Sequence, residues 1–168
     1  AEDPIRAAAR DGAGPVGAPA VLPLAKHAAG GELETARAAV RAMQNIVYHA
    51  GRPGAEGEAK AVAAELLKLL GDSQPLQLRR DVLWMTWQIA GEEAVEPVAA
   101  LLANADLGED ARMTLERLPG EKATAALQAA LTAAADADKP ALAHSLGVRG
   151  VQTPGVPDLR LTPTKKTS

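Results

Sequence analysis

The sequence predicts an all-α solenoid, a stack of antiparallel helix pairs with about seven to nine helices. Three observations support this prediction. Alanine and leucine, both strong helix formers, supply 59 of the 168 residues. Apolar residues recur three and four positions apart along most of the chain, which is the spacing of one helix face. Segments that end in glycine repeat after 29 and 30 residues, an interval long enough for one helical hairpin.

The first 70 residues are predicted to contain two short helices followed by two longer ones. Residues 5–10 and 18–29 are short helix candidates within an irregular N-terminal cap that covers residues 1–31. Residues 32–50 carry a continuous apolar stripe that predicts a five-turn helix with these buried positions: Leu33, Ala36, Val40, Met43, Val47 and Ala50. Glycine and proline in residues 51–57 end this helix, and a second helix is predicted from residue 57 to residue 70.

The same apolar spacing predicts five more helices, at residues 75–90, 92–103, 109–118, 121–135 and 139–147. Residues 82–91, 111–120 and 141–150 align without gaps, and each segment ends in a glycine: Gly91, Gly120 and Gly150. We interpret each glycine as a turn between two helices, where a left-handed backbone costs little. Residues 1–157 then form a single domain, and the polar residues 158–168 form an extended or disordered tail.

The unit that spans residues 111–131, which contains Arg-Met-Thr-Leu-Glu-Arg-Leu-Pro-Gly-Glu-Lys, resembles a HEAT-like repeat. The most similar variety is the short bacterial type also found in phycobilisome-lyase-related proteins. Pro97 stands where such repeats often carry a proline early in their second helix. The resemblance covers residues 32–157 and implies a fold without a specific activity. Residues 48–54, followed by this repeat set, also look like exported bacterial HEAT proteins, for which no defined role is implied.

Seven residues are candidates for binding a partner: Tyr48, His49, Arg52, Arg79, Arg80, Trp84 and Trp87. Trp84 and Trp87 are three positions apart and therefore share a helix face. They either pack inside a central helix or form an exposed anchor, since Trp is enriched at interface hot spots. Arg52, beside Gly51, belongs either to a plain interhelical connection or to a contact with a partner carboxylate.

Arginines recur at similar places in the first helices of the predicted pairs: Arg37, Arg41, Arg79, Arg80, Arg112, Arg117 and Arg149. One interpretation is a solvated face with salt bridges to neighbouring carboxylates. The other is a basic ridge that binds an acidic partner. The sequence alone leaves both open.

The composition argues against several kinds of chemistry. The chain has no Cys, which excludes disulfides, Cys-based zinc sites and Cys nucleophiles. His27, His49 and His144 lie on separate elements, and no pair of them has metal-ligand spacing. Few β-branched and aromatic residues argue against a β-fold, and no apolar run reaches the roughly 18 residues that predict a membrane span. We predict no catalytic, cofactor-binding or metal-binding residue.

The predicted function is therefore non-enzymatic: a protein–protein interaction scaffold or an accessory subunit of a larger assembly. The small and acidic residues at the N-terminus resemble a mature chain after signal-peptide removal, so we expect a periplasmic or exported protein, with the cytoplasm as the alternative. Two other functions stay open. One is a lyase-like or chromophore-handling protein, and the other is a nucleic-acid-binding protein like some HEAT-like glycosylases. The net charge of −3 argues against nucleic acid as the partner.

Overall fold

The computed structural model describes Pro4, Ala7, Ala8 and residues 11–156, and it confirms the all-α fold class. The described residues form eight α-helices: α1 (Ala18–Gly30), α2 (Leu33–Ala50), α3 (Glu56–Leu67), α4 (Leu76–Ile89), α5 (Val95–Ala99), α6 (Gly108–Arg117), α7 (Glu121–Ala133) and α8 (Lys139–Val148). Three short 3-10 helices accompany them: Gly14–Val16, Lys68–Leu70 and Glu92–Ala94. The helix predicted for residues 5–10 and the tail predicted for residues 158–168 lie outside the described residues, apart from Ala7 and Ala8.

The helices stack in two rows. Helices α2, α4, α6 and α8 form the first-helix row, in which each helix contacts the next. Helices α1, α3, α5 and α7 lie behind them as the second-helix row, with contacts between α1 and α3 and between α5 and α7. Helix α1 packs on α2, α3 and α4, so it occupies the place of a second helix. The architecture is a solenoid of stacked helix pairs, as predicted.

The core lies between the two rows, and small residues let the rows approach closely. Fully buried large side chains alternate with buried alanines along the stack: Met43, Ile46, Leu66, Leu83, Leu115 and Leu127 with Ala63, Ala94, Ala111 and Ala123. Alanine has no side chain beyond Cβ, so it fills the narrow crossings without a void. Leu33 contradicts the predicted stripe, since it is 64% exposed at the first position of α2.

Helix α5 is shorter than predicted. The apolar spacing indicates a helix over residues 92–103, yet α5 ends at Ala99. Leu101 and Leu102 donate their backbone N–H groups to carbonyls three residues back, which tightens the backbone into turns. Asn104 then accepts hydrogen bonds from the backbone N–H groups of Asp106 and Leu107 through its Oδ1 atom and reverses the chain.

The left-handed backbone expected at the three glycine turns is present at two of them, although no helix follows Gly150 among residues 151–156. Gly120 and Gly150 have φ angles of +85° and +80°, which is the left-handed region that glycine adopts readily. Gly91 contradicts the prediction, because its φ of −100° belongs to extended backbone. Its N–H group donates to the Oε1 atom of Glu93 at 2.9 Å, so a side chain satisfies this turn in place of a left-handed residue.

Candidate functional site

Two tryptophans on α4 lie at an open groove between α4 and α6. The groove has a volume of about 140 Å³ and is lined by Leu83, Trp84, Trp87, Asp110, Met113, Thr114 and Arg117. We call this feature the Trp groove. The rings of Trp84 and Trp87 meet edge to face, with centroids 6.3 Å apart and an angle of 85° between their planes. Trp84 is 43% exposed, so the pair is not core, although α4 itself packs against both neighbours in its row.

The repeat register explains why these residues meet. The spacing of 29 residues between Gly91 and Gly120 places Trp84 level with Met113 and Gln88 level with Arg117 on the next first helix. On α4, Val82 and Met85 are fully buried on the core side, which turns Trp84 outward. Sequence reasoning identified both tryptophans but missed Met113 and Arg117 as groove residues. The register itself is the signal that identifies them.

Arg117 lies over the Trp87 ring at the edge of the groove. Its guanidinium carbon is 5.5 Å from the ring centroid, a cation–π geometry worth about 0.5–1 kcal/mol at an exposed site. The Nη1 atom donates to the backbone carbonyl of Met113 at 2.8 Å and lies 3.6 Å from the Oε1 atom of Glu116. The side chain remains 42% exposed, so a charged group faces solvent next to an apolar wall.

A buried polar network supports α6 from the core side. Arg112 occupies the repeat position held by Leu83 on α4 and Leu142 on α8. Its guanidinium donates to Glu109, to Glu116 and to the Ser145 hydroxyl. Ser145 in turn donates to Glu116 at 2.7 Å, which connects α8 to α6. The hydrogen bond from Arg112 lowers the pKa of Glu109 below its ordinary value.

Arg149, directly after α8, binds the end of α6. Its Nη1 donates to the carbonyl of Leu118 at 2.6 Å and its Nη2 to the carbonyl of Gly120 at 2.6 Å, while its Nε donates to the Thr124 hydroxyl at 2.8 Å. Longer hydrogen bonds from Nη1 reach the carbonyls of Leu115 and Glu116 at 3.0 Å. A cation at the C-terminal end of a helix also matches the negative end of its dipole.

Most arginines of the predicted basic ridge have partners within the chain. Arg79 is buried, with its Nε donating to the Leu70 carbonyl at 2.9 Å and its Nη2 lying 2.8 Å from Asp72. Arg112 is buried in the same way, and the half-buried Arg149 donates its hydrogen bonds to the end of α6. Arg80 is half-buried and donates to the Asp106 carbonyl at 2.9 Å. These arginines join helix ends and loops because the planar guanidinium can reach several acceptors at once.

Arg52 and His49 also have partners within the chain. Arg52 forms a two-pronged ion pair with Glu58 at 2.6 and 2.9 Å and donates to the carbonyl of His49 at 2.6 Å. This pairing lowers the pKa of Glu58. His49 is partly buried, and its Cβ lies in the path of any side chain at Gly14. We therefore interpret the loop after α2 as a structural connection.

Tyr48 lies on α2, one helix away from the Trp groove. It is 57% exposed and is not among the groove residues. The 40-residue spacing between Gly51 and Gly91 places it level with Gln88 of α4, and therefore level with Arg117 of α6. Tyr48 thus has the same register position on the first-helix row as a groove residue, and it is an exposed feature separate from the groove.

The two helix rows carry opposite charge. The first-helix row contains seven basic and five acidic residues, which leaves it positive. The second-helix row, together with the 3-10 helix Glu92–Ala94, contains three basic and seven acidic residues. Most of this negative charge lies on α3 and around α5. Two of the seven basic residues of the first-helix row, Arg79 and Arg112, are buried and paired within the fold, so the acidic second-helix row is the clearer charge feature of the surface.

A larger cavity lies elsewhere, between the loops that precede α6 and α8. It has a volume of about 590 Å³, and eight alanines and two leucines form most of its wall. The polar groups that line it come from these residues: Asn104, Glu109, Arg112 and Asp138. The volume falls in the range of about 300–1,000 Å³ that small-molecule sites occupy.

Among the residues that the structure describes, there is no cluster of three or more His, Asp or Glu side chains that could hold a metal ion. None of the described helices is long and apolar enough to cross a membrane. Comparison of the chain with protein-family models, with curated proteins and with solved structures gives no match.

Proposed function

We propose that the chain is a HEAT-like repeat protein that binds another protein through the outer side of its first-helix row, as a scaffold or an accessory subunit. The observation that carries the proposal is the Trp groove, where Trp84 is 43% exposed beside Met113 and Arg117. Trp, Met and Arg are enriched at protein interfaces. Holding a large apolar ring in water costs free energy that a partner would recover by covering it.

The two-row architecture supports the same proposal. Stacked helix pairs offer an extended surface, and solenoids use such surfaces for binding. The absence of cysteine from the sequence is compatible with a periplasmic or exported location, which we include in the proposal. Cell fractionation with an antibody against the chain tests the location separately from the binding surface.

Site-specific photocrosslinking in the cells that make the protein tests the binding surface. A photoreactive amino acid at Gln88, which is level with Arg117, is expected to capture a discrete partner. The matched control carries the same group at Gln128, an exposed glutamine on α7 in the other row. Trp84→Ala should reduce the yield from Gln88 about tenfold or more, because truncation of a central interface Trp typically costs 2 kcal/mol or more.

Capture of the same partner from Gln128 with equal yield would show that the first-helix row is not the binding surface. Capture from Gln88 that is unchanged by Trp84→Ala would assign binding to other residues of the row. A circular dichroism spectrum of the Trp84→Ala protein establishes that the fold is kept.

One observation favours ligand handling as a second candidate function. The cavity lined by eight alanines is large enough for a small molecule and has the buried Arg112 at its wall. Native mass spectrometry of the protein purified from its source tests this function. A stoichiometric bound mass that is lost when Ala134 is replaced by Phe would favour it, and an unliganded mass would argue against it.

A further inference from the structure

The volume of the Trp groove indicates the size of what it accepts. An apolar protein cavity of about 150 Å³ holds one benzene molecule. The Trp groove has about the same volume, 140 Å³. A six-carbon group is close in size to a single Leu, Ile or Met side chain. The groove therefore fits one anchoring side chain of a partner and is too small for a cofactor or a folded element.

The walls of the groove select an apolar anchor. Leu83 is fully buried at its base, and the two indole rings and Met113 form its sides. Thr114 brings a hydroxyl to the lining, and this hydroxyl already donates to the Asp110 carbonyl at 2.8 Å. Asp110 also lines the groove, and its carboxylate lies 3.3 Å from the Nε atom of Arg80. Because the polar side chains of Thr114 and Asp110 are already paired within the chain, a polar anchor would lose its hydrogen bonds to water without a full replacement on these walls.

The edge of the groove carries a guanidinium, that of Arg117, which can donate hydrogen bonds to a further acceptor. The guanidinium of Arg117 has five N–H donors, and the bond to the Met113 carbonyl uses one of them. The nearest carboxylate, Glu116, lies 3.6 Å away and is also bound by Arg112 and Ser145. A partner carboxylate next to the anchor could form a two-pronged hydrogen bond with this guanidinium.

From these observations we propose that the Trp groove recognises an acidic peptide segment of a partner protein, with one aliphatic anchor side chain and an Asp or Glu within a few residues of it. The anchor fills the groove and the carboxylate binds Arg117. The acidic residues on α3 and around α5 repel such a segment, which favours its approach to the first-helix row. This inference rests on the proposed protein-binding function and specifies the chemistry of the partner.

Selection from a random peptide display library tests the proposal without a known partner. The full chain serves as bait, and Trp84→Ala serves as the counter-selection. Peptides that require Trp84 are expected to share an aliphatic residue with Asp or Glu nearby. Binding is then measured by intrinsic fluorescence, since Trp84 and Trp87 are the only tryptophans of the chain and both line the groove.

Matched charge variants separate the two parts of the recognition. Arg117→Gln is expected to weaken binding of the selected peptide about fivefold, the upper range for a solvent-accessible ion pair. Lys122→Gln removes the same charge from α7 and should leave the affinity unchanged. Replacing the acidic residue of the peptide by its amide should weaken binding to the natural chain equally and have little effect on Arg117→Gln.

Three results would overturn the inference. One is a consensus without an aliphatic anchor, or one rich in basic residues. Another is displacement of the peptide by a single-stranded oligonucleotide, which would indicate a nucleic-acid site. The third is no enrichment that depends on Trp84. If photocrosslinking from Gln88 still captures a partner in that case, the protein-binding function stands and only the acidic-segment chemistry is wrong.

Discussion

The most demanding prediction concerns Arg149, whose guanidinium joins α8 to the end of α6. Arg149→Ala removes three short hydrogen bonds, of 2.6, 2.6 and 2.8 Å, to Leu118, Gly120 and Thr124. A hydrogen bond to a charged group contributes about 1.5–3 kcal/mol to stability. The acceptors here lie at a helix end, where water can partly replace the guanidinium. We therefore expect about 1 kcal/mol for each bond and a total loss of about 3 kcal/mol.

Urea unfolding followed by circular dichroism measures this loss directly. For a domain of this size, about 3 kcal/mol corresponds to a melting temperature roughly 6–12 °C lower. Arg149→Lys is the matched control, because lysine keeps the charge but offers a single ammonium group that cannot reach three acceptors together. It should lose about half as much as Arg149→Ala. A second control, Arg117→Ala, should lose less than about 1 kcal/mol because that side chain is exposed.

Two results would refute this reasoning. A change below about 0.5 kcal/mol for Arg149→Ala would place it among ordinary surface substitutions. Full stability in Arg149→Lys would show that the helix dipole and the positive charge account for the effect, and that the fork geometry of the guanidinium does not.

Further predictions concern the buried network and the turns. Arg112→Met leaves the buried Glu116 carboxylate without its nearest cation and should lower the free energy of unfolding by about 3 kcal/mol. Adding Glu116→Leu should recover at least half of that loss in the same urea titration. The folded pKa of Glu109 lies below its ordinary value of 4.5, so the ionised carboxylate stabilises the fold fully above that pH. This contribution is lost as the pH falls through the folded pKa. Glu109→Gln should therefore flatten the decrease in the urea midpoint from about pH 5 to pH 3. Gly120→Ala should cost about 1–2 kcal/mol, since φ is +85° there. Gly147→Ala should instead add about 0.5–1 kcal/mol, because Gly147 is helical with open space around it. Melting temperatures that shift in the same direction for Gly120→Ala and Gly147→Ala would contradict these two predictions.

Helix periodicity and glycine spacing were sufficient to predict the helix-pair stack. The periods are local properties of the chain, and each helix buries its stripe in the way that the period requires. The exceptions arise where nonlocal or side-chain contacts decide the backbone. Leu33 fits the apolar stripe of α2, yet it lies at the helix start, where little packs over it. Gly91 follows the glycine spacing, yet the Glu93 carboxylate satisfies its N–H group and the backbone stays extended.

The candidate site was predictable only in part. Trp84 and Trp87 are conspicuous in a sequence with three aromatic residues, but their apolar neighbours fit a core helix equally well. Exposure depends on how far the adjacent helices cover α4, which the sequence does not state. The environments of the arginines were harder still to predict, because a buried Arg79 and an exposed Arg117 look alike in the sequence. Only the position of acceptors such as the Leu70 carbonyl separates them.

The polar connections between α6 and α8 have a consequence for how the molecule opens. In a solenoid, stability is shared between single repeats and the interfaces that join neighbours. The contacts of Arg149 and of Ser145 with α6 span 29 to 34 residues of chain, so neither helix can separate alone without breaking them. Amide protons of α6 and α8 should therefore exchange with solvent as one cooperative unit, at a common free energy of opening.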